Sequence, residues 1–228
     1  MVSPLLANVY LHYALDQWSV WWRKHNSTGD TIIVRYADDV IVGFQHHEDA
    51  QRFREELVGR LQDFDLEMNE QKSRLIRFGR YAEQQHKERG LGKPPTFDFL
   101  GFTHYCGRSS NGGFALRRRS IRKRMSRKLK EVRRELKRRM HAPVSQHIDW
   151  LSSVVQGHCN YYGVPGNLRN LACFKYELRR AWYRTLCRRS QKKRLNWQKF
   201  GQFLGKQLPP VRTVHPYPEE RFYAKYSR

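Results

Sequence analysis

The sequence predicts an α+β fold: helices and short strands over residues 1–118, a basic helical bundle over 119–208, and an extended basic tail over 209–228. Three observations carry this. Thr31–Ala37 and Val40–Phe44 are two β-branched runs separated by Asp38-Asp39, the pattern of a hairpin with an acidic tip. Ile121, Met125, Leu129, Val132, Leu136 and Met140 recur at steps of three and four, one apolar stripe on a helix. Charge is divided along the chain. Residues 1–80 hold 10 basic and 12 acidic side chains, net −2, whereas the whole chain of 228 residues carries +23. The entire excess therefore lies beyond residue 80.

The elements follow in order. Ser3-Pro4 suits a helix start, Ser as cap and Pro at the first helical position. Leu5, Leu6, Val9, Tyr13 and Trp21-Trp22 then predict a mostly apolar helix packed under a sheet. His25–Asp30 is a turn, and the acidic hairpin follows. Ala50, Phe53, Leu57, Val58, Leu61 and Phe64 have a helical period over 48–64. A turn at Asn69–Lys72 leads to a short strand over 73–78, and the glycines and prolines of 79–95 predict a loop. Thr96–Cys106 and Phe114–Arg118 read as strands joined by the Ser109–Gly113 turn. Helices are expected near 144–162, 167–189 and 196–207, the last two separated by the basic stretch Gln191–Arg194. The tail from Pro209 has four prolines and no period.

Composition excludes several classes. Hydrophobic residues make up 39%, enough for a core, so this is no disordered polymer. No run approaches the ~18 apolar residues of a membrane helix, and the first turn lacks the basic region of a secretory signal. Cys106, Cys159, Cys173 and Cys187 are far apart, without a C-x-x-C pair. That argues against zinc ribbons and disulfide frameworks and for a reduced, cytoplasmic chain without a membrane partner. A net charge this large points to a polyanion, of which nucleic acid is the commonest.

Two segments carry candidate chemistry. Asp-Asp is a poor choice for a two-residue hairpin turn, which favours Asn-Gly or Asp-Gly. Two adjacent carboxylates also repel, and a hard divalent cation such as Mg²⁺ relieves that. The plain alternative is an exposed acidic turn. Residues 117–139 hold 14 Lys/Arg and 2 Glu, including Arg117, Arg118, Arg119, Arg122, Lys123, Arg124, Arg127, Lys128 and Lys130. A solvated charged face normally mixes signs; this one does not, so contact with RNA phosphates is the favoured reading. Tyr161, Tyr162, Tyr176, Trp182, Tyr183 and Trp197 interleave with basic residues, and either pack in the core or stack unpaired bases. His158 and Cys159 lack a second pair at zinc spacing and are expected to be structural.

The segment Ile33–Val40 with Tyr36-Ala37-Asp38-Asp39 resembles the catalytic motif of reverse transcriptases. Its surroundings resemble the group II intron-encoded reverse transcriptase/maturase family. Ser3–Leu11 is similar to the segment after that family's Pro-Gln-Gly loop, and Leu66–Ser73 to its following palm motif. Phe97–Phe102 is similar to the primer-grip strand, and Gly157–Gly163 to the thumb signature. The resemblance implies a partial palm over 1–118 and a thumb, or maturase, domain over 119–208. It implies Asp38 and Asp39 as Mg²⁺ ligands and Lys72 as the lysine that protonates pyrophosphate. Tyr36 and Ala37 border the nucleotide and primer end, and Phe99, Leu100 and Gly101 hold the primer. The implied reaction is attack of a primer 3′-hydroxyl on the α-phosphate of a deoxynucleoside triphosphate, copying an RNA template into cDNA. Implied partners are intron RNA and a DNA primer. Family members carry fingers and another metal-binding aspartate ahead of the region matched here. The expectation is that this chain cannot polymerise alone and needs a separate amino-terminal half, with a non-catalytic RNA-binding maturase fragment as the alternative. No endonuclease segment is expected after the thumb.

Overall fold

The computed structural model describes residues 3–109, 111–189 and 195–217. The Gln191–Arg194 linker, the tail beyond residue 217, the side chains of Ser3 and Pro4, and Ser110 of the expected turn lie outside the described residues. The fold is mixed, with helices and two small antiparallel sheets, as its sequence predicts. It divides into two compact units, Met1–Arg77 and Phe78–Arg228.

The first unit begins with α1 (Ser3–Leu11), which passes through a π-helical turn (His12–Asp16) into α2 (Gln17–His25). A hairpin follows, β1 (Thr31–Tyr36) and β2 (Asp39–Phe44), then α3 (His47–Gln62). Its small core sets Trp22 edge to face with Phe44 and Phe53, which tilt against each other, with Ala14 and Leu15 buried from the π-turn. The expectation that this apolar helix packs under a sheet holds for Trp22, which meets Phe44 of β2, and is corrected for the rest. Leu5, Leu6, Val9, Tyr13 and Trp21 are exposed, because a two-stranded ribbon cannot cover a helix circumference that is apolar on several sides. Buried Asp49 ties α3 to the preceding turn. Its Oδ2 accepts from Thr28 N at 2.8 Å, Thr28 Oγ1 at 2.9 Å and Gly29 N at 3.2 Å, and its Oδ1 pairs with Arg52 at 2.7 Å. Residues 73–78 form no strand.

In the second unit, the expected loop over 79–95 contains a helix, α4 (Ala82–Glu88). Thr96–Cys106 is not one strand. It folds into β3 (Phe97–Phe99) and β4 (Phe102–Arg108), joined at Leu100-Gly101, and β5 (Phe114–Ser120) completes a three-stranded sheet. The break is physical: Leu100 and Gly101 have φ of 46° and 83°, and two successive positive values make a tight turn. The bundle then comprises α5 (Arg122–Arg138), α6 (Val144–Tyr162), α7 (Leu168–Cys187) and α8 (Trp197–Phe203). Leu129, Val132 and Leu136 of the predicted stripe are buried against Leu151, Val155, Leu171, Phe174, Leu178, Trp182 and Phe200.

Two polar joints lock this unit. Asn167, fully buried, accepts from Ser120 N at 3.0 Å and donates to Ser120 Oγ and Tyr162 O, both at 2.8 Å. It thereby fastens the end of β5 to the α6–α7 corner. At that corner the carbonyl of Gly163 accepts from Val214 N at 2.7 Å and His215 N at 3.0 Å. Leu208 is buried ahead of them. Residues 208–215 thus lie as a strap without helix or strand across the α6–α7 corner.

His147 sits within the core. Trp182 Nε1 donates to its Nδ1 at 3.1 Å, so its Nε2–H donates to Arg139 O at 2.8 Å. Burial, and then the charges of Arg189 and Arg139, lower its pKa. Burial and the nearby Lys128 push His158 down to about 4. Burial and Arg118 lower His104 in the same direction. A folded pKa below the unfolded value means that acid favours the unfolded chain, which takes up protons the folded one refuses. Stability is therefore complete above about pH 6.5, the ordinary histidine value, and declines as pH falls from there towards 4. Urea unfolding followed by tryptophan fluorescence should show the midpoint dropping across this window. His158→Phe, which keeps the ring stack on Phe174, should flatten the decline.

Candidate acidic hairpin and nucleic-acid interface

The acidic hairpin belongs to the first unit. Tyr36 pairs with Asp39 at its end, so the turn residues are Ala37 and Asp38, not Asp38 and Asp39. Asp39 opens β2. The strained position falls on Ala37, at φ 54°, a conformation that costs a residue with a Cβ about 1–2 kcal/mol. Tyr36, Ala37, Asp38 and Asp39 are all exposed, which leaves both carboxylates open to a ligand.

One arginine holds this turn. Arg35 grips Asp16 through two hydrogen bonds, Nε to Oδ1 at 2.7 Å and Nη2 to Oδ2 at 2.5 Å. Its Nη1 donates to Ala37 O at 3.0 Å and Asn8 Oδ1 at 2.9 Å. The hydrogen bond from Arg35 lowers the pKa of Asp16 against the opposing effect of its partial burial. The π-turn ends on Asp16, and Arg35 links it to the strained peptide at the hairpin tip. Asp16 is thereby committed to Arg35. Lys72 is exposed beyond a turn in which its N–H donates to Asn69 O at 3.1 Å.

Among the described residues no group of three or more His, Cys, Asp or Glu side chains could hold a metal ion. Asp38 and Asp39 supply two adjacent hard oxygen donors, the right chemistry for a divalent cation, but not a complete centre.

The second unit gathers several predicted residues. Gly101, buried in the β3–β4 turn, has no room for a Cβ without crowding Arg124, Tyr161 and Tyr162, each 3.3 Å from where that atom would stand. Tyr161 donates its hydroxyl to Leu100 O at 2.9 Å, and Ile121 N donates to Gly101 O at 3.1 Å. Phe102 stacks against Tyr161. The turn at Leu100-Gly101, the start of α5 and the end of α6 therefore form one surface, flanked by Phe99. Arg122, Lys123, Arg124, Arg127, Lys128 and Lys130 are exposed on α5. Of these, only Lys128 has an ion pair among the described residues, with Glu131 at 3.2 Å.

On β5, Arg119 is exposed and lies over the Tyr105 ring, while Arg117 and Arg118 are half-buried. Burial lowers the pKa of Arg118. The interleaved aromatics divide: Trp182 is core, Tyr183 and Trp197 pack against it, and Tyr161 and Tyr176 are exposed. His158 stacks on Phe174 at 3.7 Å, within the bundle.

Arg35 is the positioning residue that sequence reading did not single out; Tyr161 and Tyr162, read there as core or base-stacking rings, instead stand against the Leu100-Gly101 turn. The visible signal for Arg35 was a lone arginine in an otherwise apolar strand.

Residues 1–104 match the family model described as reverse transcriptase (RNA-dependent DNA polymerase), and residues 116–225 match type II intron maturase. The class is thus a reverse-transcriptase segment joined to a maturase domain. The chain belongs to the group II intron reverse transcriptase/maturase family. No curated protein matches it. Both families bind RNA, and reverse transcriptases use divalent metal ions. No helix of the described residues is long and apolar enough to cross a membrane.

Replacing Arg35 by Met should free the hairpin tip while keeping the bulk of the side chain. The amide protons of Tyr36 and Asp39 should then exchange at least about tenfold faster, the loss of one or two charge-assisted hydrogen bonds. Hydrogen exchange by NMR measures this, and unchanged rates would remove Arg35 from its positioning role.

Proposed function

We propose that this chain is the RNA-binding, carboxylate-bearing part of an RNA-directed DNA polymerase of group II intron maturase type, inactive in polymerisation by itself. The observation that carries the reading is the combination of an exposed Asp38-Asp39 pair with a helix whose solvent faces are cationic almost throughout. In this reading residues 1–118 act as a partial palm, 119–208 as the thumb or maturase domain, and 209–228 as a basic tail. Asp38 and Asp39 are the ligands for Mg²⁺, with Tyr36 and Ala37 beside the nucleotide and primer end. Lys72 serves pyrophosphate. Phe99, Leu100 and Gly101 hold the primer strand.

Arg117, Arg118, Arg119, Arg122, Lys123, Arg124, Arg127, Lys128 and Lys130 serve phosphates of intron or template RNA. Phosphate contacts position the RNA without reading its sequence. A two-metal centre needs more carboxylates than one pair, so the remainder comes from outside the described residues, on an amino-terminal reverse-transcriptase half. The exposed apolar surface of Leu5, Leu6, Val9, Tyr13, Trp21, Ile32 and Val34 supports a docking partner of that kind, since patches of this sort mark interaction sites. The same incomplete carboxylate set also favours a second reading, a maturase fragment that binds RNA without catalysis.

RNA affinity should fall steeply with salt. Changing Arg122, Lys123 and Lys130 together to Gln should lower the slope of log K against log salt by about 3; a flat response counts against phosphate binding. Primer extension with deoxynucleoside triphosphates separates the two functional readings. The chain alone should give no cDNA, and the chain mixed with an amino-terminal half should give Mg²⁺-dependent cDNA that Asp38→Ala abolishes. Absence of product in the mixture, with RNA binding intact, favours the non-catalytic reading.

A further inference from the structure

Helix α6 carries a glycine in its last third, Gly157, where glycine costs about 1 kcal/mol relative to alanine. Gly157 is exposed, and no close approach of a neighbour requires it: a Cβ built there meets nothing within 4 Å. It lines a cleft of about 490 Å³ between α5 and α6, a size suited to a small ligand. The cleft has two chemistries. Arg124, Arg127 and Lys128 stand at it with Glu131 as their one acidic neighbour, while Tyr162 and the edge of His158 provide flat, apolar wall. Buried His158 Nε2 has no hydrogen-bond partner among the described residues, so the wall retains an unspent polar atom.

A phosphate of a continuous duplex meets the cations but not the wall behind them. An unstacked nucleotide meets both, its phosphate at the cations and its base in the space beside Gly157. The geometry points to this cleft as a seat for one unpaired nucleotide of a bound RNA, a subsite that rests on the RNA-binding reading above. Gly157 leaves the space beside it open, and a large side chain there would fill the seat.

The test compares two RNA hairpins of equal length, one fully paired and one with a single unpaired 2-aminopurine bulge. The bulged RNA should bind about tenfold tighter, a low value for one base stacked on protein. Gly157→Leu should bring that ratio to about one without lowering the melting temperature, and Gly157→Ala, which leaves most of the cleft open, should keep it. With the unaltered chain, emission from the bulged 2-aminopurine should change on binding as the base leaves water. Equal affinity of the unaltered chain for both hairpins, constant emission, or a bulge preference that survives in Gly157→Leu overturns the seat. Failure to bind the paired hairpin as well is a different result, and overturns the RNA reading beneath it.

Discussion

Leu129, Val132 and Leu136 hold α5 to the bundle through a narrow seam, and most of what this protein presents to solvent depends on that seam. Ten of the seventeen residues from Arg122 to Arg138 are Lys or Arg, a density that repels itself and favours a dispersed chain. Burial of three aliphatic side chains, each contributing about 1.5–3 kcal/mol, offsets the repulsion. Among the described residues, only Glu131 and Glu135 on the helix, and Glu177 from α7, pair with its cations. A wider apolar stripe would anchor α5 more firmly but remove cations from its surface. The observed width gives enough attachment to fold and leaves the remaining circumference cationic.

The acidic hairpin solves the opposite problem. It carries two exposed carboxylates on a ribbon too small to bury anything around them. Rigidity comes from Arg35, whose fork reaches Asp16 on one side and the carbonyl of strained Ala37 on the other. Placing Asp16 at the end of a π-turn brings it to that arginine. Strain in the peptide and the ion pair holding it are parts of one arrangement, as at other sites where backbone is kept in a sparsely populated conformation.

Long periodic elements were legible in the sequence. The stripe of α5 and the spans of α6 and α7 follow from apolar spacing, and the β1–β2 hairpin from its β-branched runs. Misreadings cluster where local pattern is not the deciding force. Phe97–Phe102 looks like continuous strand because Leu seldom accepts a positive φ, yet Leu100 turns there because Tyr161 and Ile121 bind the turn's carbonyls. The π-turn left no trace in spacing, and neither did the helix Ala82–Glu88, a short polar run among glycines. In the hairpin, a one-residue shift moved the turn from Asp38-Asp39 to Ala37-Asp38, a distinction set by pairing register. The arginines were legible as a cationic run. That Arg124 meets Tyr161, Tyr162 and the Gly101 turn was not, since those contacts join residues distant in sequence.

The strap over the α6–α7 corner has a consequence for how the protein comes into being. Gly163 presents its carbonyl to Val214 and His215, and Leu208 enters the core beside α7. These groups emerge from the ribosome some fifty residues after the corner they close. Until then α6 and α7 must remain docked with an apolar socket open and a backbone carbonyl lacking its partners. Synthesis therefore passes through a stage in which the nascent chain exposes sticky surface, and quality-control factors can reach it. A premature stop before residue 208 would leave a protein with every helix of the bundle but permanently in that vulnerable stage.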